Sequence, residues 1–322
     1  MMDLLIYSLL FPGVAFSFAL AFWFEYVERK LTAHIQQRIG PYFTGFKGLL
    51  QPIADFAKLL LKEEIVPVTS DRLVFVLAPL ISLSIPIFGM CFVPMASTRS
   101  PLGFSGDVYL IIFLLVAEAF VTVLMGIAAL TPYTLIGVGR HILQYTMYEG
   151  VFLLAIASVA IQTRSLGLDD IVEYQMVNGP MILYQPLGFA IAIISLLAKL
   201  EKRPFDLPHA KQEIVAGWMT EFSGASLAFV RLFSYLSMVW SISLIADLYL
   251  GGPTGYGFTG DYSLIGFAYF LIKINLLLVL VTVISASSGR IRVVGLARRF
   301  WGLIYPLAIL QFILASMVRF GP

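Results

Sequence analysis

The chain is predicted to be an all-α integral membrane protein, with about eight transmembrane helices and one amphipathic helix in its first large loop. Three observations carry this. Hydrophobic residues fill 59% of the 322 positions and charged residues only 12%, against about 25% charged in soluble domains. The apolar residues fall in runs of about twenty, long enough to cross roughly 30 Å of hydrocarbon at 1.5 Å per residue. The charges that remain collect between those runs.

The runs place spans at roughly 4–25, 73–95, 108–131, 148–163, 181–200, 226–250, 263–287 and 301–318. No linker or low-complexity tract interrupts them, so residues 1–322 read as a single membrane domain. Lys and Arg set its orientation. Sixteen fall in alternate loops on one side, among them Arg29, Lys47, Arg72, Arg140, Lys199, Arg203 and Arg298. Only Arg99, Arg164 and Arg319 fall on the other. The basic side is therefore expected to be cytoplasmic, with both termini outside a cell membrane. A net charge of +2 points to no nucleic acid.

The lone cysteine, Cys91, can hold neither a disulfide nor an iron–sulfur cluster. His34, His141 and His209 all read as cytoplasmic loop residues, unsuited to paired haem ligation. No metal site is expected, and any redox centre must come from a partner.

Two loops are patterned beyond what a tether needs. In the first, 26–72, Gln51, Asp55, Lys58 and Lys62 recur at helical spacing within 48–62, opposite Leu49, Leu50, Ile53, Phe56, Leu59 and Leu60. That is an interfacial helix with a polar stripe. In the third cytoplasmic loop, 199–225, Pro204 and Pro208 break any helix. Asp206, His209, Lys211, Glu213 and Glu221 then alternate with Phe205, Leu207, Ile214, Val215 and Trp218. Such interleaving predicts a segment folded back on the membrane domain and lining a semi-polar pocket.

Charges inside spans are costly, about 2.5–3.5 kcal/mol for Asp, Lys or Arg at a helix centre, so each is expected to face a partner or water. Glu118, Glu149 and Lys273 are candidate proton-relay groups, with a Glu118–Lys273 ion pair as the structural alternative. Arg231 and Asp247 lie near span ends, where snorkelling would free them.

Several motifs together resemble the complex I subunit 1 family. They are Glu28-Arg29-Lys30, Gln37-Arg38-x-Gly40-Pro41, Gly48-Leu49-Leu50-Gln51-Pro52-x-Ala54-Asp55-x-x-Lys58, Tyr148-Glu149 after Arg140 and Gln144, and Lys202-Arg203-Pro204-Phe205-Asp206-Leu207-Pro208 followed by Glu213 and Glu221-Phe222-Ser223-Gly224. Arg290, Arg292, Trp301 and Pro306 agree as well. The resemblance implies a subunit docked beneath a hydrogenase-like large subunit and a small subunit that holds the last iron–sulfur cluster. Its first and third loops would form a chamber there. Glu149, Glu213 and Glu221 would lead protons from it toward antiporter-like membrane subunits; Lys273 and Glu118, singled out above only as charges within spans, would extend such a path deeper. Gln37, Arg38, Asp55, Lys58, Arg140, Asp206, His209 and Lys211 would shape the chamber and docking surface, Arg38 being suited to bidentate contact with a carboxylate.

Quinone-reducing members of that family commonly carry glutamates where His209, Lys211 and Ser234 stand, and Arg231 adds a further positive charge here. This disfavours a bound quinone and favours a membrane-anchor and coupling subunit of a ferredoxin-driven, hydrogenase-type complex. The competing expectations are a quinone-binding subunit and, in another class, a stand-alone proton channel or secondary transporter.

Overall fold

The computed structural model describes residues 11 and 13–317, with the side chain of Lys211 excluded. The predicted span residues 4–10, 12 and 318, and Arg319, lie outside the described residues. Every element within them is helical. In order these are α1 Val14–Ile35, α2 Gln51–Leu60, α3 Arg72–Met90, α4 Asp107–Ala128, α5 Pro132–Thr163, α6 Leu168–Asn178, α7 Pro186–Lys199, the single turn α8 Lys211–Ile214, α9 Gly224–Leu250, α10 Leu264–Ser287, α11 Val293–Arg299 and α12 Tyr305–Met317. A π-turn, Phe300–Ile304, joins the last two.

Among the described residues six stretches are long and apolar enough to cross a membrane: α3, α4, α5, α9, α10 and the run Val293–Met317. The other two predicted spans correspond to α1 and to α7. The former carries Glu25, Glu28, Arg29 and Lys30 in its second half, and the latter has only 14 residues.

Helix α9 is the central post. Of its most apolar window 78% is buried, and Trp240 and Tyr249 are fully enclosed. Small residues permit this close approach, as between membrane helices generally. A Cβ on Gly89 of α3 would lie 2.2 Å from the Trp240 ring, so glycine is what lets α3 seat against α9.

Two predicted boundaries are corrected. The first loop begins near 36 rather than 26, because α1 continues through Arg29, which pairs with Glu25 one turn back. No loop precedes span four. A capping box between Thr131 and Thr134, with Pro132 in the first turn, starts one helix of 32 residues. At 1.5 Å per residue it is about 48 Å long, well beyond the roughly 30 Å of hydrocarbon. Arg140 and His141 therefore project from a rigid helix, and His34 likewise lies on α1.

The 200–223 segment folds back as predicted, with Phe205, Leu207, Ile214, Trp218 and Phe222 buried and only Val215 of the predicted apolar set exposed. It presses on α5 at Gly137, where a Cβ would lie 2.5 Å from the Trp218 backbone nitrogen. Phe222 stacks on Phe75 of α3 at 4.5 Å. Ser223 ties the segment to the first loop, accepting from the Ile65 amide at 2.9 Å.

Candidate functional site: a charged chamber and a buried ionisable network

Two of the four residues of the predicted polar stripe, Gln51 and Asp55, turn inward on α2, while Lys58 and Lys62 are exposed. Arg29 of α1 donates to Asp55 at 2.7 Å and to Glu25 at 3.1 Å, and Gln51 donates to the second Asp55 oxygen at 2.8 Å. Burial raises the Asp55 pKa, but the bonds from Arg29 and Gln51 outweigh it and hold the carboxyl below the ordinary value. Asp55 thus fixes α2 against α1. Lys58 points away and is exposed, as are Gln37 and Arg38 on the turn above.

Behind the stripe lies a cavity of about 340 Å³ lined by Glu25, Arg29, Asp55, Lys202, Arg231, Ser234 and Tyr235. A narrow apolar cleft between α1, α2 and α9 shares Glu25, Asp55, Arg231 and Tyr235 with it and adds Ala21, Phe22, Pro52, Phe56, Leu59, Ala228 and Leu232. On the loop side a groove of about 590 Å³ runs along Glu28, Arg29, Arg38, Pro41, Tyr42 and Phe43.

Glu213 sits half-exposed on α8, 2.5 Å from Arg140 and 3.8 Å from Arg290. The bond and charge of Arg140 lower its pKa. Asp206 is partly buried, and burial raises its pKa despite His209 and Arg290 nearby. Glu221 is half-buried and makes no hydrogen bond or ion pair with a described residue. No direct contact joins Glu149, Glu213 and Glu221.

His209 is not on the chamber wall, contrary to expectation. The fold-back turns its ring inward, where Nε2 meets Glu201, and His141 Nδ1 meets the same carboxylate from α5. Burial raises the Glu201 pKa, but the charges and bonds of His209 and His141 prevail and hold it far below the ordinary value. Burial depresses His209, and the Glu201 charge more than restores it, leaving it raised. The Lys211 side chain lies outside the described residues.

Deeper, Glu118 pairs with Lys199, not with Lys273. Both side chains are almost fully enclosed, 4% and 5% exposed, and Ser237 of α9 bridges them at 3.1 Å to each. A cavity of about 50 Å³ borders this pair together with His141, Tyr148, Glu201 and Trp218. Glu149 is also buried on α5, one carboxylate oxygen without a partner among the described residues.

Lys273 is engaged at the other end of the molecule. Its ammonium donates to the carbonyls of Leu250, Gly252 and Thr254 at 2.6–2.8 Å. It caps the C-terminus of α9, where the helix dipole favours a cation. That engagement is why it cannot reach Glu118. Asp247, expected to snorkel, is instead fully buried one turn inside that terminus.

Sequence reasoning missed His141, Lys199 and Glu201 as site residues. The 141–144–148 spacing places His141 on the same buried stripe as Gln144 and Tyr148, which was the available signal. Lys199 sat among the loop cations that set the orientation, and Glu201 beside it was not singled out. Among the described residues no group of three His, Cys, Asp or Glu is placed to hold a metal ion.

Fold and site define a class: a multi-pass membrane protein whose folded-back loops connect with ionisable groups inside the helix bundle. Residues 7–316 match the family described as NADH dehydrogenase. Relatives include an NADH-quinone oxidoreductase subunit from Thermomicrobium roseum, 37% identical with 92% of this chain and 90% of the relative covered. Its counterpart from Geobacter sulfurreducens is 35% identical, with 91% and 88% covered. NADH-quinone oxidoreductase subunit 8 of Thermus thermophilus is 34% identical, with 91% and 80% covered. The chain belongs to the NADH dehydrogenase family of membrane subunits, the complex I subunit 1 family that its motifs resemble.

Proposed function

We propose that this chain is the membrane-anchor and coupling subunit of a complex I-like oxidoreductase, and that its chamber admits a quinone. The observation that carries the second part is the narrow apolar cleft between α1, α2 and α9, which shares four residues with a partly exposed, charge-lined chamber. An amphiphile with an apolar tail and a polar head suits both. The relatives' names refer to quinone as well. Arg29, Asp55, Arg231 and Tyr235 would hold the headgroup, and a quinone when bound supplies an electron acceptor that takes up protons on reduction. The chain's own part is electrostatic. Charge arising at the chamber acts through Lys202, Arg140 and Glu213 on the enclosed Glu118–Lys199 pair and on Glu149, which pass protons toward neighbouring membrane subunits.

The basic side suits a docked redox arm holding an iron–sulfur cluster. Phe43, Phe46, Leu61 and Val68 are at least 78% exposed there, beside Arg38, Lys47 and Lys58, and exposed apolar residues rimmed by charge mark protein contacts. That face would be cytoplasmic, with both termini outside.

A second reading, the ferredoxin-driven hydrogenase-type complex, is favoured by one observation. Arg231 and Ser234 line the chamber where a carboxylate would be expected for quinone chemistry. The further argument from His209 falls away, because Glu201 neutralises it internally. The test is turnover by the purified complex with added quinone. Quinone-dependent electron transfer, abolished by Phe56→Trp in the cleft, is the expected result; turnover with ferredoxin and no response to quinone would establish the second reading. In the same complex Glu149→Gln and the paired change Glu118→Gln, Lys199→Met, which strands no buried charge, should leave assembly intact and reduce ion flux per electron. Full coupling in both would remove the relay.

A further inference from the structure

At the end of the bundle away from the chamber, an open groove of about 730 Å³ runs between the start of α4 and the end of α5. Phe104, Tyr109, Leu110 and Leu166 give it apolar walls, and Arg164 and Ser165 add a cation and a hydroxyl. The 22 residues of α4 rise about 33 Å, close to the roughly 30 Å of hydrocarbon, so its first turn lies at headgroup level. Tyr109 is exposed there, and membrane interfaces collect tyrosine. Phe113, Val116 and Phe120 follow it at helical spacing and are exposed as well, so an apolar track leads from the groove along α4.

The groove is framed by fixed contacts. Asp107 Oδ1 accepts from the Leu168 amide at 2.8 Å, and the Val108 amide donates to the Leu166 carbonyl at 3.1 Å. These bonds pin the turn between α5 and α6 to the head of α4. Beside it, Asp169 accepts from the Ser100 amide at 3.0 Å.

Two charges at the groove are not used in that frame. Arg164 ends α5 in the left-handed conformation, φ 56°, where glycine is the usual residue and other side chains are strained. Its guanidinium is exposed and makes no hydrogen bond or ion pair among the described residues. Ser165 Oγ donates to Asp170 Oδ2 at 2.6 Å. A Cβ on Gly167, which also lines the groove, would lie 2.9 Å from that same oxygen. Asp170 therefore sits at the rim, with no cationic partner among the described residues. A cation and an anion flank Ser165 and do not pair with each other.

We propose that this groove seats a bilayer phospholipid with a primary-ammonium headgroup, of the phosphatidylethanolamine class, in the leaflet away from the chamber. Arg164 holds the phosphate, whose oxygens its planar fork matches. The ammonium donates to Asp170, and an acyl chain lies along Tyr109 and Phe113. A phosphatidylglycerol headgroup would satisfy Arg164 but leave Asp170 facing like charge. The quaternary nitrogen of phosphatidylcholine has no N–H to donate. Nothing in this seat depends on the quinone reading.

The experiment labels the purified complex with a phosphatidylethanolamine that carries a photoactivated diazirine in its acyl chain, and maps the cross-links by mass spectrometry. Labels are expected within residues 104–120 and 164–167. Unlabelled phosphatidylethanolamine should compete about tenfold better than phosphatidylglycerol or phosphatidylcholine, as loss of one charge-assisted contact implies. Arg164→Gln should cut the labelling about tenfold, and Arg164→Lys should restore much of it. Asp170→Asn should keep the labelling but let phosphatidylglycerol compete equally. Equal competition by all three lipids in the wild type overturns the proposal, leaving an annular lipid only, and needs no variant to assemble. Wild-type labelling in Arg164→Gln overturns it too, as does cross-linking confined to a partner subunit covering the groove.

Discussion

Glu118 and Lys199 hold opposite charges against each other with almost no solvent, and such a pair is asymmetric under mutation. Removing one partner of a buried pair strands the other, at a cost of about 3–5 kcal/mol, whereas replacing both by neutral groups costs far less. Lys199→Met should therefore lower the melting temperature of the detergent-solubilised protein sharply, and the double variant Glu118→Gln, Lys199→Met should recover most of the loss. Equal melting of single and double variants would show that the pair does not form. The Glu201–His209 contact makes a prediction in pH. Because the His209 pKa in the folded state is raised above about 6.5, its stabilisation is complete below that value and is lost as pH rises through the higher folded one. Amide exchange of residues 205–222, corrected for its intrinsic pH dependence, should therefore become faster on the alkaline side. In His209→Gln that pH dependence should vanish, leaving the segment loosened throughout.

Helix α5 does two jobs along one length. Its second half crosses the bilayer beside α7 and α12, and its first half stands out on the basic side as the surface on which the fold-back rests. Gly137 and Gly139 lie two residues apart and face different surroundings. A methyl on Gly137 would collide with the backbone at Trp218, whereas one on Gly139 meets nothing within 4 Å. Gly137→Ala should detach the 200–223 segment without melting the helix, seen as rapid proteolysis within that segment. Gly139→Ala should stabilise the helix by about 0.5–1 kcal/mol, the usual advantage of alanine over glycine there. Equal protease resistance in both would mean that the segment is held from elsewhere.

Across the whole molecule, ionisable groups divide between two ends. The basic side gathers the chamber, the fold-back and the Glu118–Lys199 pair, while Lys273 caps the opposite end of α9, with Asp247 buried one turn inside it. Orientation in the membrane decides which end meets the redox arm. With Cys91→Ser as background, a cysteine in place of Arg99, whose side chain is 85% exposed, should react with an impermeant thiol reagent added outside intact cells. A cysteine in place of the exposed Arg203 should react only in inverted vesicles. The opposite pattern would reverse the proposed topology.

The sequence by itself determined that this chain lives in a bilayer, roughly where its spans lie, and that its loops carry the family's motifs. Those properties are written locally, in run length, helical spacing and consecutive residues. Helix α2, the inward-turned Asp55 and the folded-back Trp218 segment were legible for the same reason. What only the tertiary structure decided was partnership. Glu118 could have met Lys273 or Lys199 on sequence grounds. The meeting is set by how α4, α7 and α9 cross, and Lys273 is taken by carbonyls freed where α9 ends. The His141–Glu201–His209 cluster depends on α5 continuing through a stretch that hydropathy assigns to a loop, because a capped, amphipathic extension outside the membrane leaves no apolar signature. Charge pairing is a contact between distant segments, and no local pattern encodes it.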